Sequence, residues 1–124
     1  MAKIMIVDDA KIIRITIKKH LEALGHEVVS LAENGFDAVE QYEKIKPDIV
    51  TMDITMPEQN GIKNGIEALD EIIKIDKDAN VIMITSHGEQ RMVMEAISKG
   101  SKGYILKPVT KEKLQQIIEK IPLS

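Results

Sequence analysis

Short apolar runs alternate with amphipathic stretches along the chain, and this pattern constrains the fold more than any other feature. The runs have the length of β-strands, whereas the stretches between them carry apolar residues at the helical spacings of three and four. Alternating strands and helices are typical of βαβ units, and right-handed crossovers leave few ways to assemble them. The sequence therefore predicts an α/β fold in which a doubly wound, five-stranded parallel sheet is flanked by five helices.

Local signals mark the ends of several predicted helices. Gly25 stands where the C-terminus of the first helix is expected. Asn34 and Thr110 are expected to cap the second and the last helix. The third helix is expected to begin at Asn64, because Glu67 three residues later completes the pattern of a capping box.

The apolar spacing also predicts which helix faces are buried. The first helix is expected at about residues 10–24, and the fourth is expected to end at Gly100. Met94 falls off the apolar face of the fourth helix, and an exposed methionine suits an adaptable partner surface. The residues expected to face the core are Ile13, Ile17, Leu21 and Leu24, then Phe36, Val39 and Tyr42, then Ile66, Leu69 and Ile73, then Val93, Ala96 and Ile97, and finally Leu114, Ile117, Ile118 and Ile121.

Polar residues stand where four of the predicted strands end. Asp8 and Asp9 follow the first strand, Asp53 the third, Thr85 the fourth and Lys107 the fifth. The carboxyl ends of parallel strands lie along one edge of a sheet, and ligands bind outside that edge, where the strand order reverses. The sequence therefore predicts one crevice that contains three carboxylates, one hydroxyl and one ammonium group.

This set of groups is suited to a metal ion and a phosphoryl group. Three adjacent carboxylates need a cation between them to stay ionised, and Mg²⁺ prefers oxygen ligands. A carboxylate beside the metal can attack phosphorus, while a lysine and a hydroxyl stabilise the phosphoryl oxygens. Taken singly, Asp9 can instead cap the first helix, Thr85 can be an ordinary strand residue and Lys107 a solvated turn residue. The combination favours phosphoryl transfer to a protein carboxylate.

Length and composition limit the classes of protein and of binding site that the chain can represent. The chain has 124 residues, which fits a single domain over residues 1–124. It has no cysteine, which excludes disulfides and zinc–thiolate sites, and its apolar runs are too short to span a membrane. The N-terminus lacks the apolar region of a signal peptide, so a cytoplasmic location is expected. The net charge of −3 does not by itself indicate a nucleic-acid partner.

Charge is unevenly distributed between the two parts of the chain. Residues 1–85 carry 10 basic and 16 acidic side chains, a net of −6, whereas residues 86–124 carry 7 and 4, a net of +3. Two interpretations stay open. The charges can be scattered at random over a solvated surface, or the last third can present a docking face to a partner.

The motifs together resemble those of a known family. The segments IMIVDD (4–9), DIVTMD (48–53), MP (56–57), IT (84–85) and KP (107–108) resemble the receiver domain of two-component response regulators. The resemblance covers essentially the whole chain and is strongest to the stand-alone chemotaxis, CheY-like type. It implies a flavodoxin-like fold with strand order 2-1-3-4-5.

The resemblance also implies roles for the residues of the crevice. Asp53 would be the phosphoacceptor. Asp9 and Asp53 would ligate Mg²⁺ directly, together with the backbone carbonyl of Thr55, and Asp8 would act through a metal-bound water. Lys107 would pair with the phosphoryl group.

Two further residues would form the switch. In the family, a threonine at the position of Thr85 swings to the phosphoryl group, and an aromatic residue at the position of Tyr104 then turns inward. From the residues alone, a half-buried strand tyrosine is the favoured interpretation of Tyr104. The family also implies a cis peptide bond between Lys107 and Pro108.

By resemblance, the chain is a regulator that takes a phosphoryl group from a sensor histidine kinase. Its catalysis would be confined to its own phosphorylation and hydrolysis, so it would not be an enzyme. The partner would bind the face made by the fourth helix, fifth strand and fifth helix, and a flagellar motor switch protein or a phosphatase is expected there. The regulator is expected to be monomeric and to bind neither nucleic acid nor membrane, and no output domain is expected after the last predicted helix.

Three alternatives stay open at this stage. The chain can be a phosphorelay intermediate, or an interaction module on the same fold that no longer depends on phosphorylation. It can also be an enzyme or a flavin carrier on the same fold, although the two acids Asp8 and Asp9 would repel a flavin phosphate from the loop after the first strand.

The chain departs from the family pattern in one segment. NGIK at residues 60–63 is followed directly by NGIE at residues 64–67, so about four extra residues are expected in the loop before the third helix. The insert from Asn60 to Lys63 is either a harmless looped-out repeat or a segment that changes access of water or a phosphatase to Asp53. His87, two residues beyond Thr85, is either an exposed loop residue or an influence on dephosphorylation. His20 and His26 are expected at the surface.

Overall fold

The computed structural model describes residues 1–123, which form one parallel sheet with helices on both faces. The strand order is β2-β1-β3-β4-β5, with all neighbouring strands parallel, so the predicted order is confirmed. None of the helices in this range has the length and apolar character needed to cross a bilayer. The elements are β1 (Lys3–Val7), α1 (Lys11–Ala23), β2 (Glu27–Ala32), α2 (Gly35–Ile45), β3 (Ile49–Asp53), α3 (Gly65–Ile75), β4 (Val81–Thr85), α4 (Gln90–Ser98), β5 (Gly103–Leu106) and α5 (Lys111–Glu119).

Two apolar layers hold the sheet between the helices. Successive residues of a strand point to opposite faces, so each central strand supplies both layers. Met5 and Val50 pack with residues of α2, α3 and α4, whereas Ile4, Ile6 and Ile82 pack with residues of α1 and α5. Because both faces are covered, the central strands are apolar almost throughout, and polar side chains are displaced to their ends.

The predicted helix caps are confirmed. Each cap side chain accepts a hydrogen bond from the backbone N–H three residues later. Glu67 also returns to the start of α3, where its carboxylate accepts from the N–H of Lys63 at 2.8 Å. These caps are Asn34 for α2, Asn64 for α3 and Thr110 for α5.

For the helices, one alternative is excluded and one expectation is wrong. Ala10, not Asp9, occupies the N-cap position of α1, and no side chain of the described residues caps that helix, so the capping interpretation of Asp9 is excluded. Ile97 does not face the core, since 49% of its side chain is exposed. It lies one turn after Val93, beside the short edge strand β5, and within residues 1–123 no further strand follows β5 in the sheet to cover it. Ile117 in α5 is only partly buried.

The insert at residues 60–63 is a folded turn. Asn60 and Gly61 have φ angles of 49° and 85°, the left-handed conformation that a two-residue hairpin turn requires. Gln59 and Ile62 exchange two backbone hydrogen bonds, of 3.1 and 3.0 Å, across it. Ile62 packs against the core on the side of α2, where a Cβ on Gly35 would lie 2.7 Å from Ile62 Cγ2. The effect of the insert on access to the crevice stays a prediction.

One buried hydroxyl in β3 has no partner. Thr51 is fully buried, and its Oγ1 makes no hydrogen bond to the described part of the chain. A buried polar group without a partner is destabilising, whereas an apolar group of similar shape is not. We therefore expect Thr51→Val to raise the free energy of unfolding by about 1 kcal/mol, measured by urea denaturation. Thr51→Ser, which keeps the hydroxyl and removes the methyl group, should lower it; a loss of stability in Thr51→Val would contradict this account.

Candidate functional site

The three acids expected in the crevice lie together at the carboxyl edge of the sheet. Asp8 follows β1 and is buried, Asp9 is exposed, and Asp53 ends β3 and is buried. One carboxylate oxygen from each lies within 4.8 Å of the others. β1 and β3 are adjacent strands, which is why residues distant in sequence meet here.

Lys107 places its ammonium group between two of these acids. Its Nζ lies 3.5 Å from Asp53 Oδ1 and 3.7 Å from Asp8 Oδ2. The side chain reaches them from the loop after β5, two strands away from β3. A positive charge at this distance from both carboxylates partly compensates their repulsion.

The loop that carries Lys107 is held by a contact that sequence reasoning missed. Lys113, in the first turn of α5, donates from Nζ to the carbonyls of Leu106 at 2.9 Å and Pro108 at 3.0 Å. These two carbonyls flank Lys107 on either side. The peptide bond between Lys107 and Pro108 is cis, as the resemblance implied.

Burial makes the acidic cluster electrostatically unfavourable. Burial first, and then the neighbouring Asp8, raise the pKa of the Asp53 carboxyl to about 7, although Lys107 opposes the change. Burial likewise raises the pKa of the Asp8 carboxyl, and the hydrogen bond from the Ala10 N–H opposes that change. A bound cation would relieve both effects.

The residues present fit a hard divalent cation. Asp8 Oδ2 is buried and accepts no hydrogen bond from the described residues, although the Lys107 ammonium lies 3.7 Å from it, so its hydrogen-bonding capacity is unused inside the cluster. Carboxylate oxygens are the ligands that Mg²⁺ prefers. Asp8 is itself held in place, because Arg14 Nη1 donates to its backbone carbonyl at 2.7 Å.

Thr85 lies at the end of β4, and its hydroxyl is engaged by an acid that the sequence analysis did not identify. The hydroxyl donates to Glu89 Oε1 at 3.0 Å, and the Ser86 N–H donates to the same oxygen at 2.6 Å. Thr55 donates its hydroxyl to the other oxygen, Glu89 Oε2. Although burial opposes ionisation, these hydrogen bonds lower the pKa of the Glu89 carboxyl below its ordinary value.

Comparison with known proteins agrees with this arrangement. A family model described as the response regulator receiver domain matches residues 4–119. The chain belongs to this family of receiver domains. It is 45% identical over 119 residues to chemotaxis protein CheY of Thermotoga maritima, covering 96% of each chain, and 48% identical over 118 residues to CheY of Bacillus subtilis, covering 95% of each.

A solved relative has the same fold. The structure of a CheX–CheY–BeF₃–Mg²⁺ complex from Borrelia burgdorferi superposes with a TM-score of 0.89 at 32% identity. The match covers 98% of this receiver and 90% of that chain. The curated chemotaxis relatives and this solved structure therefore support the same assignment over nearly the whole receiver.

The receiver has an apolar groove beside the crevice, between α4 and β5. It has a volume of about 440 Å³ and begins at Thr85. Tyr104 lines it with 52% of its side chain exposed, which agrees with a half-buried strand tyrosine. Met94 is 72% exposed, as its position off the apolar face predicted, and it lines the groove together with Ile97.

The remaining residues singled out in the sequence lie apart from the acidic cluster or at its rim. Thr55 and His87 are both exposed, in the loops that follow β3 and β4. His20 and His26, which were expected at the surface, are both partly exposed. His26 Nδ1 accepts from the Ala2 N–H at 3.0 Å, and burial lowers the pKa of its imidazole, which marks a structural role.

Proposed function

We propose that this cytoplasmic receiver accepts a phosphoryl group on Asp53 from a sensor histidine kinase and signals by binding a partner when phosphorylated. The observation that carries the proposal is the Asp53 carboxylate, buried between the Lys107 ammonium and the acids Asp8 and Asp9. Buried acids beside a lysine at the carboxyl edge of a parallel sheet are suited to phosphoryl transfer.

The proposed reaction moves one phosphoryl group between two side chains. A carboxylate oxygen of Asp53 attacks the phosphorus of a kinase phosphohistidine, the P–N bond breaks, and its electron pair leaves with the imidazole nitrogen. Lys107, 3.5 Å from Asp53 Oδ1, orients the carboxylate and then pairs with the new phosphoryl oxygens. Catalysis by the receiver is confined to this step and to hydrolysis of the resulting acyl phosphate.

Mg²⁺ is the cofactor that the acidic cluster suits. Asp9 and Asp53, with the backbone carbonyl of Thr55, would hold it directly, and Asp8 through a water. When bound, the ion supplies positive charge that neutralises the phosphoryl oxygens during transfer. The buried Oδ2 of Asp8, which accepts no hydrogen bond from the described residues, supports this assignment, and so does the presence of Mg²⁺ with BeF₃ in the Borrelia burgdorferi relative.

The signal is proposed to be a shift between two populated states. The Thr85 hydroxyl would turn from its present partner to a phosphoryl oxygen, and Tyr104 would turn inward beside it. Both side chains line the groove between α4 and β5, which supports that groove as the output surface. Exposed Met94 gives this surface an adaptable apolar contact, and the net positive charge of residues 86–124 is complementary to a partner with an acidic surface.

Chemotaxis is the pathway that we propose, with a flagellar motor switch protein or a phosphatase as partner. The relatives named chemotaxis protein CheY cover nearly the whole chain, and the Borrelia burgdorferi relative is bound to a second protein, CheX. A kinase would approach the crevice beside Ile12, which is 69% exposed in the first turn of α1, three residues from Asp9. A phosphorelay intermediate is the alternative within the same chemistry.

Intact mass after incubation with acetyl phosphate tests the acceptor. With Mg²⁺ present, we expect the wild type to gain a single phosphoryl group, and we expect Asp53→Asn to gain none. Removal of Mg²⁺ with EDTA should abolish the gain. Asp78→Asn, an exposed acid in the loop before β4 at the opposite end of the sheet, is the matched control and should be phosphorylated like the wild type. No gain in the wild type would instead favour an interaction module that does not depend on phosphorylation.

A further inference from the structure

The Glu89 carboxylate accepts hydrogen bonds from three donors that converge at the edge of the crevice. One oxygen accepts from the Ser86 N–H at 2.6 Å and from the Thr85 hydroxyl at 3.0 Å. The other oxygen accepts from the Thr55 hydroxyl. Thr55 lies in the loop after β3, whereas Thr85 ends β4 and Ser86 follows it, so the single carboxylate joins the two strands at their carboxyl ends.

A backbone N–H and two hydroxyls that converge on one point form an anion-binding site. Here the anion is supplied by the chain itself. Glu89 stands at the N-cap position of α4, yet its side chain does not cap that helix and instead reaches back to Ser86. A threonine hydroxyl has one proton, so Thr85 cannot donate to Glu89 and to a phosphoryl oxygen at the same time.

We propose that Glu89 is an internal competitor of the phosphoryl group: its carboxylate holds the Thr85 hydroxyl and the Ser86 amide until a phosphoryl group on Asp53 displaces it. The inference rests on the proposed phosphorylation of Asp53. Glu89 is a positioning residue, because it acts through Thr85 and not on the phosphorus.

Displacement of Glu89 would carry the signal into α4. The Glu89 carbonyl accepts the N–H of Val93 in the first turn of the helix, so the residue is part of the helix start. Ser86 and His87, which precede it, line the same groove as Met94. Release of the carboxylate therefore frees the loop that joins the crevice to the groove.

Titration with beryllofluoride in the presence of Mg²⁺ tests the competition. Glutamine keeps the shape of Glu89 but accepts weaker, neutral hydrogen bonds. We expect Glu89→Gln to bind beryllofluoride about tenfold more tightly than the wild type. Glu95→Gln is the charge-matched control: Glu95 is exposed on α4, outside the set of donors, and its replacement should leave the affinity unchanged.

A second variant separates competition from simple loss of negative charge. Thr55→Val keeps the Glu89 charge and removes one of its three donors, so it should tighten beryllofluoride binding about twofold to threefold. The tightening in both variants should persist at high salt, because salt screens long-range charge but not a direct competition for donors. Thr55→Val also stands in if Glu89→Gln fails to fold.

NMR of the unliganded proteins gives a readout that a charge effect would not move. In Glu89→Gln, the Ser86 amide and the Thr85 methyl resonances should shift towards their positions in the beryllofluoride-bound wild type. A wild type that binds beryllofluoride, with variants of equal affinity and unshifted resonances, would overturn the inference while the proposed function stands. A wild type that neither binds beryllofluoride nor is phosphorylated would overturn the proposed function itself.

Discussion

Replacing Gly65 with alanine is expected to lower the free energy of unfolding by about 3 kcal/mol or more. Intrinsic propensity alone predicts the opposite, since alanine stabilises a helix by about 1 kcal/mol relative to glycine. The close approach of backbones decides the sign. A Cβ on Gly65, at the start of α3, would lie 2.1 Å from the carbonyl oxygen of Asp53 and 3.0 Å from Ile54 Cα. Neither backbone atom can move without displacing the end of β3.

The same change should impair phosphorylation. The Gly65 N–H donates to the Ile54 carbonyl at 2.7 Å, so α3 is joined directly to the residue that follows Asp53. Separation of the two segments would shift Asp53 relative to Lys107. Urea unfolding gives the stability, and the acetyl phosphate assay by intact mass gives the rate of phosphorylation.

Gly103→Ala is the matched control for this prediction. Its added Cβ would meet Ile117 Cδ1 at 2.8 Å, but that atom ends a flexible side chain which can turn away. We expect a loss of about 1 kcal/mol or less there. Equal losses at the two glycines would contradict the argument from backbone contact.

In the absence of divalent metal, stability should fall as pH rises from about 4 to about 7. The pKa of Asp53 is about 7 in the fold and 3.8 ordinarily, so the folded state binds more protons than the unfolded state between these values. Ionisation of Asp53 therefore opposes folding. The difference between the two pKa values corresponds to a loss in the free energy of unfolding on the order of 4 kcal/mol, which is complete above pH 7.

Asp53→Asn should remove most of this dependence and, in EDTA at pH 8, should be more stable than the wild type. Thermal or urea unfolding across pH 4–8 measures the difference between the two proteins. Asp9→Asn removes a charge from the same cluster at an exposed position, so its stabilising effect should be smaller. If stability depends on pH in the same way in the wild type and in Asp53→Asn, the buried Asp53 carboxylate is not the source of the pH dependence.

The position of the acidic cluster could be inferred from the sequence because it follows from topology. Once the strands are parallel and neighbouring, Asp8, Asp53 and Lys107 at their carboxyl ends have to meet at one edge. The structure places these side chains within 3.5–4.8 Å of one another. The roles assigned to them stay predictions until phosphorylation is measured.

Glu89 could not be assigned in the same way. Its one available signal was an acid four residues after Thr85, at the start of the fourth predicted helix, and such acids are common at helix starts. Its contacts with Thr55, Thr85 and Ser86 depend on how two loops approach each other. The role of Lys113 could not be predicted for the same reason, since its acceptors are two carbonyls of a neighbouring loop.

Features that depend on a few neighbouring residues or on a repeating pattern could be predicted from the amino-acid sequence. The caps Asn34, Asn64 and Thr110 are interactions over three residues, and the alternation of strands and helices follows from apolar periodicity. Which residues lie at the edge of the core or in close backbone contact became known from the packing of the elements. Ile97 shares the helical spacing of a core residue yet is half exposed, and Gly65 is constrained by a strand that ends twelve residues earlier, because packing between elements is set by distances that no local pattern encodes.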